Sequence, residues 1–433
     1  MTGKLRIGMS LSPTWLSGEA WRRPDSGVNN LFSPEFYVDI AQRAEAAKLD
    51  FVFRPDTLFL NPAALETGPG FASLDPTLLL AAIAKETSHI GLLSTVSTTF
   101  LPPYVVARQL MSLHWLSGGR AGWNIVTALD GNRNFGQQHM PPADQRYARA
   151  AEFTEVVRAL WDSFPNDALR IDRAAGRFAD PAQVQPINHQ GAHFTVEGPL
   201  NLPSYKDARV PLVQAGASGP GRDFAASVSD AIFASTPDMQ AAIDLRKDLR
   251  DRAAGIGRSA GDIRLLPGLS LYLAPTRKEA RELFLDTHAR NTRAQRIANV
   301  LAMTGLDLTE WPGDRPITAK DLPPAPENPR SRTHSNLLRR MIERDAPTPD
   351  ALLERPEVIG SAHWQVIGTV GDAVDAIRQW AEAGAIDGFV CVPGGSVTSM
   401  HLSLDEVIPA LSDLGLFRRD YTATTLLGLL TEE

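Results

Sequence analysis

A single cysteine, Cys391, excludes any intramolecular disulfide and any cysteine-based metal cluster. It lies in the apolar run GFVCVP, which reads as a buried strand, so the thiol is expected to fill core space rather than to react. The nine histidines form no HExxH pattern and no His-rich tract, which leaves a structural metal without support. Basic runs are also missing: 43 Lys and Arg are outweighed by 50 Asp and Glu, and the net charge of -7 argues against nucleic acid as a partner. No apolar stretch approaches the roughly 20 residues needed to cross a bilayer. The opening MTGKLRIGMSLSP runs straight into a strand-like segment, so the expectation is a soluble, cytoplasmic protein with no membrane partner.

What the sequence does contain is alternation. Apolar, strand-like runs fall at residues 5–11, 50–53, 90–96, 121–126, 210–216, 231–234, 263–273 and 389–392. Between them, helical spacing appears over 34–48, 74–87 and 103–115, from Asp144, over 222–229 and 237–254, from Thr276, and over 372–383 and 404–414. Two segments break the rhythm. Residues 165–209 are rich in Pro, Gly, Asp and His and read as loops with a hairpin; residues 290–362 carry PPAPENP and RSRTHSNLLRR and read as partly helical, a lid or a dimer surface. Eight strands with about eight helices predict one closed (β/α)8 barrel of the TIM type spanning 1–433, with two insertions, because an open doubly wound sheet rarely needs so many alternations.

In such a barrel the chemistry sits where strands end. Asp56 follows the second strand, the third ends in Ser94, Thr95, Ser97, Thr98 and Thr99, and the fourth carries Asn124 and Thr127. The fifth runs into the Gly-rich turn Gln214 to Arg222, which suits an anion: glycines let the backbone approach, a helix N-terminus offers N–H groups, and Ser218 adds a hydroxyl. Each feature has a plainer reading. Gly-rich turns are common, Asp56 could cap a helix or serve a turn, the hydroxyls could serve strand-end backbone, and Tyr147 could simply pack its ring. Trp15, Trp21, Phe59 and Trp123 could wall a pocket or fill core, and core ranks first.

The strings GRAGWNIVT, NFG, RY and ALWDS, with AGASGPGRDFAA and the ending IGTVGDAVDAIRQWAEAGAIDGFVCVPG, resemble the nitrilotriacetate monooxygenase branch of the bacterial luciferase-like flavin monooxygenases. That resemblance implies a TIM-type barrel holding reduced FMN non-covalently at the C-terminal mouth of its strands. It implies O2 as co-substrate, a C4a-(hydro)peroxyflavin that oxygenates a small organic substrate, and a separate NAD(P)H:FMN reductase that supplies flavin by diffusion. No GxGxxG follows the first strand, in keeping with the absence of a built-in nicotinamide site. By the same resemblance Ser218 and the Ala217 amide hold the FMN phosphate, Tyr147 reaches it too, and Asp56, Thr95, Ser97 and Asn124 face the flavin. A homodimer or homotetramer is expected by analogy.

Two departures stand out. Ala143 replaces a histidine usual four residues before the tyrosine, and LHWLSGGR puts His114 and Trp115 where the family has Asp and His. His114 or His139 could donate a proton, or either could be a solvated loop or helix residue, and no catalytic residue is assigned. The alternatives are a deazaflavin F420-dependent oxidoreductase and a flavin-binding relative without catalysis, the second prompted by Ala143.

Overall fold

Eight short parallel strands close on themselves around one apolar interior. The structure is a computed structural model that describes residues 3–206, 208–215, 218–326, 332–360 and 363–432. The strands are β1 (Arg6–Ser10), β2 (Phe51–Arg54), β3 (Gly91–Ser97), β4 (Ala121–Val126), β5 (Leu212–Ala215), β6 (Ala231–Ala234), β7 (Arg264–Leu273) and β8 (Gly388–Pro393). They pair in chain order, and β8 closes the ring on β1 through Ile7 opposite Phe389. The expected TIM-type barrel is therefore present. Buried on both faces, its strands read as near-continuous apolar runs, which is why they were visible in the sequence.

Side-chain alternation sorts the two faces. Phe51, Phe53, Leu93, Val213, Ala231, Leu266 and Val390 fill the interior, while Ile7, Met9, Val52, Leu92, Leu265, Leu269 and Cys391 face the helices. Cys391 is thus a core residue as expected, its thiol pushed up to about 12 by burial. Helices α1 (Pro34–Ala46), α2 (Pro76–Glu86), α3 (Pro103–Leu116), α4 (Ala143–Asp162), α5 (Gly219–Val228) and α6 (Met239–Gly255) link successive strands. α5 begins at Gly219, three residues earlier than the spacing predicts. Ser218 caps it and Pro220 occupies its first turn, where a missing N–H costs nothing, so the Gly-Pro-Gly run is helix rather than turn.

The base of the barrel is sealed from an unexpected direction. A short helix, Leu426–Thr431, lies beneath the strands and pushes Leu426 and Leu430 into the interior cluster. Side chains at Gly91 or Gly122 would collide with Leu426, so these two positions are open to make room for it. Its last carbonyls are capped by cations: Arg6 Nε donates to Leu430 O at 3.0 Å and Arg418 Nη2 to Leu429 O at 3.2 Å, the favourable pairing at a helix C-terminus. Arg418 in turn pairs with Asp50, whose Oδ2 accepts from the Ile7 amide at 2.6 Å.

The first break in the rhythm holds two small antiparallel hairpins, Leu169–Asp172 with Arg177–Ala179 and His189–Gln190 with Thr195–Val196. After α7 (Arg277–Thr287), the second holds α8 (Arg293–Thr304) and α9 (Arg332–Asp345), whose Val300, Leu338 and Ile342 form a separate small core with Leu352 and Val358. The chain returns through a strand missing from the sequence reading, Trp364–Gly368, before α10 (Val370–Glu382). This strand pairs with the upper half of β7, Leu269 to Leu273, on the flank that β6 occupies lower down. It adds a rim to one side of the mouth.

Candidate active site

Three elements converge at the start of α5. The Ser218 side chain accepts from the Gly221 amide at 3.3 Å, and Tyr147, one turn into α4, rests its ring 6.0 Å from Phe224. A Cβ on Gly221 would lie 2.7 Å from the Tyr147 hydroxyl and 3.0 Å from Ser218 Oγ. Both hydroxyls therefore point into the space that this glycine leaves empty, beside a helix N-terminus with its surplus of N–H groups and partial positive charge. A doubly charged phosphate suits such a cradle. Tyr147 packs its ring against Phe224 and directs its hydroxyl toward Gly221. Ala217, named beside Ser218 in the sequence reading, lies outside the described residues.

On β3 and β4, Thr95, Ser97 and Asn124 share the inward parity of Leu93, and all three are buried. Thr95 and Asn124 stand opposite each other in register, and Asn124 Nδ2 donates to Thr95 Oγ1 at 2.9 Å. Asn124 Oδ1 is shielded from solvent and has no partner among the described residues. A buried amide oxygen left without a donor costs about 1–3 kcal/mol unless a ligand supplies one, and a flavin edge carries N–H groups. Ser97 also serves the backbone, accepting from the Thr99 amide at 3.2 Å.

Asp56 lies just beyond β2, half-buried. Burial is the largest influence on its carboxyl and, with the charge of Asp75, leaves it above the usual carboxylate range despite the Thr57 amide and Arg54. It is not the helix cap that the plainer reading allowed: Asp75 caps α2, accepting from Leu78 N at 3.0 Å. Ala143 opens α4, one turn before Tyr147 and on the same helical face.

His114 requires a correction. It sits at the C-terminal end of α3 and is fully buried, with Nε2 3.0 Å from Ala208 O and its ring edge-on to Tyr205. Because helices in a βα barrel run back toward the base, this histidine is far from the mouth and neither solvated nor placed to donate a proton there. His139 is exposed on the loop after β4. Trp15 and Trp123 are core, the latter between β4 and α4 against Phe153; Trp21 is half-buried and donates to Thr67 O at 2.9 Å, and Phe59 is exposed.

A polar contact that the sequence did not reveal lies on the inner face of β7. Tyr272 has the parity of Leu266, and its hydroxyl is 3.0 Å from His288 Nε2. Burial, aided by Arg296, pushes the imidazole down to about 4. The unfolded imidazole titrates near 6.5, so between these values the unfolded chain binds the extra proton and stability falls as pH falls. The stabilisation is complete above about pH 6.5 and lost on approach to pH 4. Urea midpoints measured from pH 7.5 to 4.5 should decline less in His288→Phe than in the native chain; parallel curves would show that His288 does not contribute.

These features, a closed parallel barrel with a serine-capped helix N-terminus after β5 and inward polar groups on β3 and β4, are those of a barrel enzyme with its site at the mouth. Residues 14–386 match the model of the luciferase-like monooxygenases, and the chain belongs to that family. It is 34% identical to nitrilotriacetate monooxygenase component A of Aminobacter aminovorans, over 98% of this chain and 95% of that one. It is 33% identical to N-acetyl-S-(2-succino)cysteine monooxygenase of Bacillus subtilis (strain 168), over 98% and 97%. A solved riboflavin lyase, crystallised with modified FMN and riboflavin, superposes with a TM-score of 0.82 at 30% identity, covering 99% of this chain and 96% of that one. The chain is a monooxygenase, and no described helix is long and apolar enough to cross a membrane.

Proposed function

We propose that this monooxygenase takes reduced FMN from a separate NAD(P)H-dependent reductase and uses it with O2 to oxygenate a small organic molecule at the barrel mouth. The observation that carries the cofactor assignment is the Gly221 cradle, where the Tyr147 and Ser218 hydroxyls meet a helix N-terminus. Tyr147 would donate to a phosphate oxygen without adding charge, and Ser218 with the first amides of α5 would hold the others. Asn124, fixed by Thr95, would offer its unpartnered oxygen to a ring N–H, and Asp56 and Ser97 complete the polar mouth. Bound reduced flavin supplies the electrons that activate O2; the protein orients it and keeps water away.

Flavin supply by diffusion is in keeping with the nitrilotriacetate monooxygenase relative, which is component A of its system. Homo-oligomeric assembly, a cytoplasmic location and a single domain with the second insertion as lid or dimer surface belong to the same reading. The test is anaerobic titration of the purified protein with photoreduced FMN and, separately, with reduced F420, followed by oxygen uptake. Saturable binding of FMN and oxygen consumption are expected. Preference for F420 would replace the oxygenase reading with an F420-dependent reductase, and flavin binding that yields only peroxide with every substrate tried would support a relative without catalysis.

A further inference from the structure

A cavity of about 760 Å³ lies at the base of the barrel, the end opposite the mouth. It sits between α4, the return from the first insertion into β5, and the segment that enters β7, and Thr431 of the base helix also lines it. α5 spans the distance between the two ends: Ser218 at its start belongs to the cradle, whereas Ser227 and Val228 at its end line this cavity. The volume falls within the roughly 300–1,000 Å³ of small-molecule sites. Met111, Trp161 and Val210 give it an apolar wall, and most of the remainder is charged.

In a chain whose net charge is -7, the cations Arg158, Lys206, Arg209, Arg258 and Arg264 gather around this one space. Two of the acids that share it are taken. Asp230 accepts two hydrogen bonds from Arg209, at 2.5 and 2.8 Å, and Asp262 lies 4.0 Å from Arg258, which also donates to Ala226 O and Ser229 O at the end of α5. Asp162 acts on Arg158 only through its field. Other acids nearby are committed elsewhere, Asp387 to Arg246 and Arg250, and Asp50 and Glu432 to Arg418. Arg158 uses one donor on Val228 O at 2.9 Å, and the side chains of Lys206 and Arg264 have no hydrogen-bond or ion-pair partner among the described residues. The cations also crowd one another. Burial, then Arg209 and Arg258, hold the Arg158 guanidinium below its usual range in spite of Asp230 and Asp162, and Arg264 opposes the charge of Arg6 and Arg250. A concave wall carrying an excess of one charge concentrates the opposite one. Guanidinium groups match phosphate in shape, offer it parallel N–H donors, and are more weakly hydrated than ammonium. Asp207 and Glu433 flank lining residues in the chain and lie outside the described residues.

We propose that this cavity is a second ligand site, taking a phosphate ester whose phosphate is held by Arg158, Lys206 and Arg264 and whose organic part lies on Met111, Trp161 and Val210. It is independent of the flavin reading, which uses none of these residues. Calorimetric titration of the full, flavin-free chain at low ionic strength would compare adenosine monophosphate with inorganic phosphate and with adenosine. The native chain should bind the nucleotide more tightly than either part by about tenfold or more, and salt at about 0.5 M should weaken that binding by screening. Arg264→Gln and Arg158→Gln should each lose about tenfold, and Arg264→Lys, which keeps the charge, should recover part of the loss. Gly221→Val, which fills the cradle, should bind the nucleotide as the native chain does. Asp207→Asn and Glu433→Gln should do the same. Nucleotide binding no tighter than that of phosphate, or glutamine variants that match the native chain, would overturn the proposal. So would binding lost in Gly221→Val and kept in Arg264→Gln, which would put the nucleotide in the cradle. A gain of about tenfold in Asp207→Asn or Glu433→Gln would show that a carboxylate of the chain itself fills the cavity, and the proposal would fall with it.

Discussion

Replacing Gly221 by valine should abolish binding of reduced FMN while the barrel stays folded. The new Cβ would start 2.7 Å from the Tyr147 hydroxyl and 3.0 Å from Ser218 Oγ, so the branched side chain occupies the cradle itself. The backbone there is ordinary helix, and valine at a first-turn position costs well under 1 kcal/mol of propensity. Tyr147→Phe is the graded counterpart. It removes one hydrogen bond to a charged group, worth about 1.5–3 kcal/mol, and should weaken FMN binding roughly ten- to a hundredfold. Ser218→Ala should do the same and also lose the α5 cap, at about 1 kcal/mol of stability. Anaerobic flavin titration alongside circular dichroism separates affinity from folding. A Gly221→Val protein that binds FMN as the native chain does would remove the cradle from the cofactor site.

The largest stability loss should follow Arg120→Met. Arg120 is buried at the base between β3 and β4, and all five of its N–H donors are used. Nε donates to Ser117 O at 2.7 Å; Nη1 to Thr87 Oγ1 at 3.0 Å and Ile90 O at 2.7 Å; Nη2 to Ala84 O at 2.8 Å and Thr87 O at 2.9 Å. One guanidinium thus ties the end of α2, the start of β3 and the turn before β4 into a single joint. Methionine fills the volume but leaves the carbonyls without donors in an apolar setting, at a cost of about 3–5 kcal/mol. Lysine, with three donors on a point charge, should recover only part of this. Urea midpoints should order native, Arg120→Lys, Arg120→Met. Since the cradle lies at the other end of the barrel, the folded fraction of each variant should bind FMN with native affinity, and a parallel loss of affinity would show that the two ends are coupled.

How much of this was legible depends on whether a signal is local. The eight barrel strands were readable because both faces of each are buried, so the runs are apolar without interruption. Thr95 and Asn124 could be named because a position near a strand end is a position near the mouth, although their hydrogen bond follows from register across two strands. α5 starts three residues before its apolar spacing does, because Ser218 caps it and Pro220 fits its first turn, so glycines and a proline that signal a turn lie inside helix. The direction of a βα unit is enough to place His114 at the base from the sequence alone. The rim strand carried no comparable sign. Only five residues long, with Gln365 and Ile367 half-buried, it is defined by its partner, the upper half of β7, and His363 acquires its place only because Gly268 across from it has no side chain.

The plug beneath the strands sets an order on how the chain is made. All eight strands are complete once Pro393 has been synthesised, yet the interior still lacks Leu426 and Leu430, Arg6 lacks the carbonyl it caps, and Arg418 is still to be added. Until the helix Leu426–Thr431 docks, the ring has an open floor that exposes Phe51, Leu93 and Val213 to water from below. Growth from the ribosome at about 5–20 residues per second leaves that floor uncovered for seconds. During that interval the half-finished barrel is a client for chaperones and a hazard for aggregation, and it is the last helix, rather than the last strand, that ends its exposure.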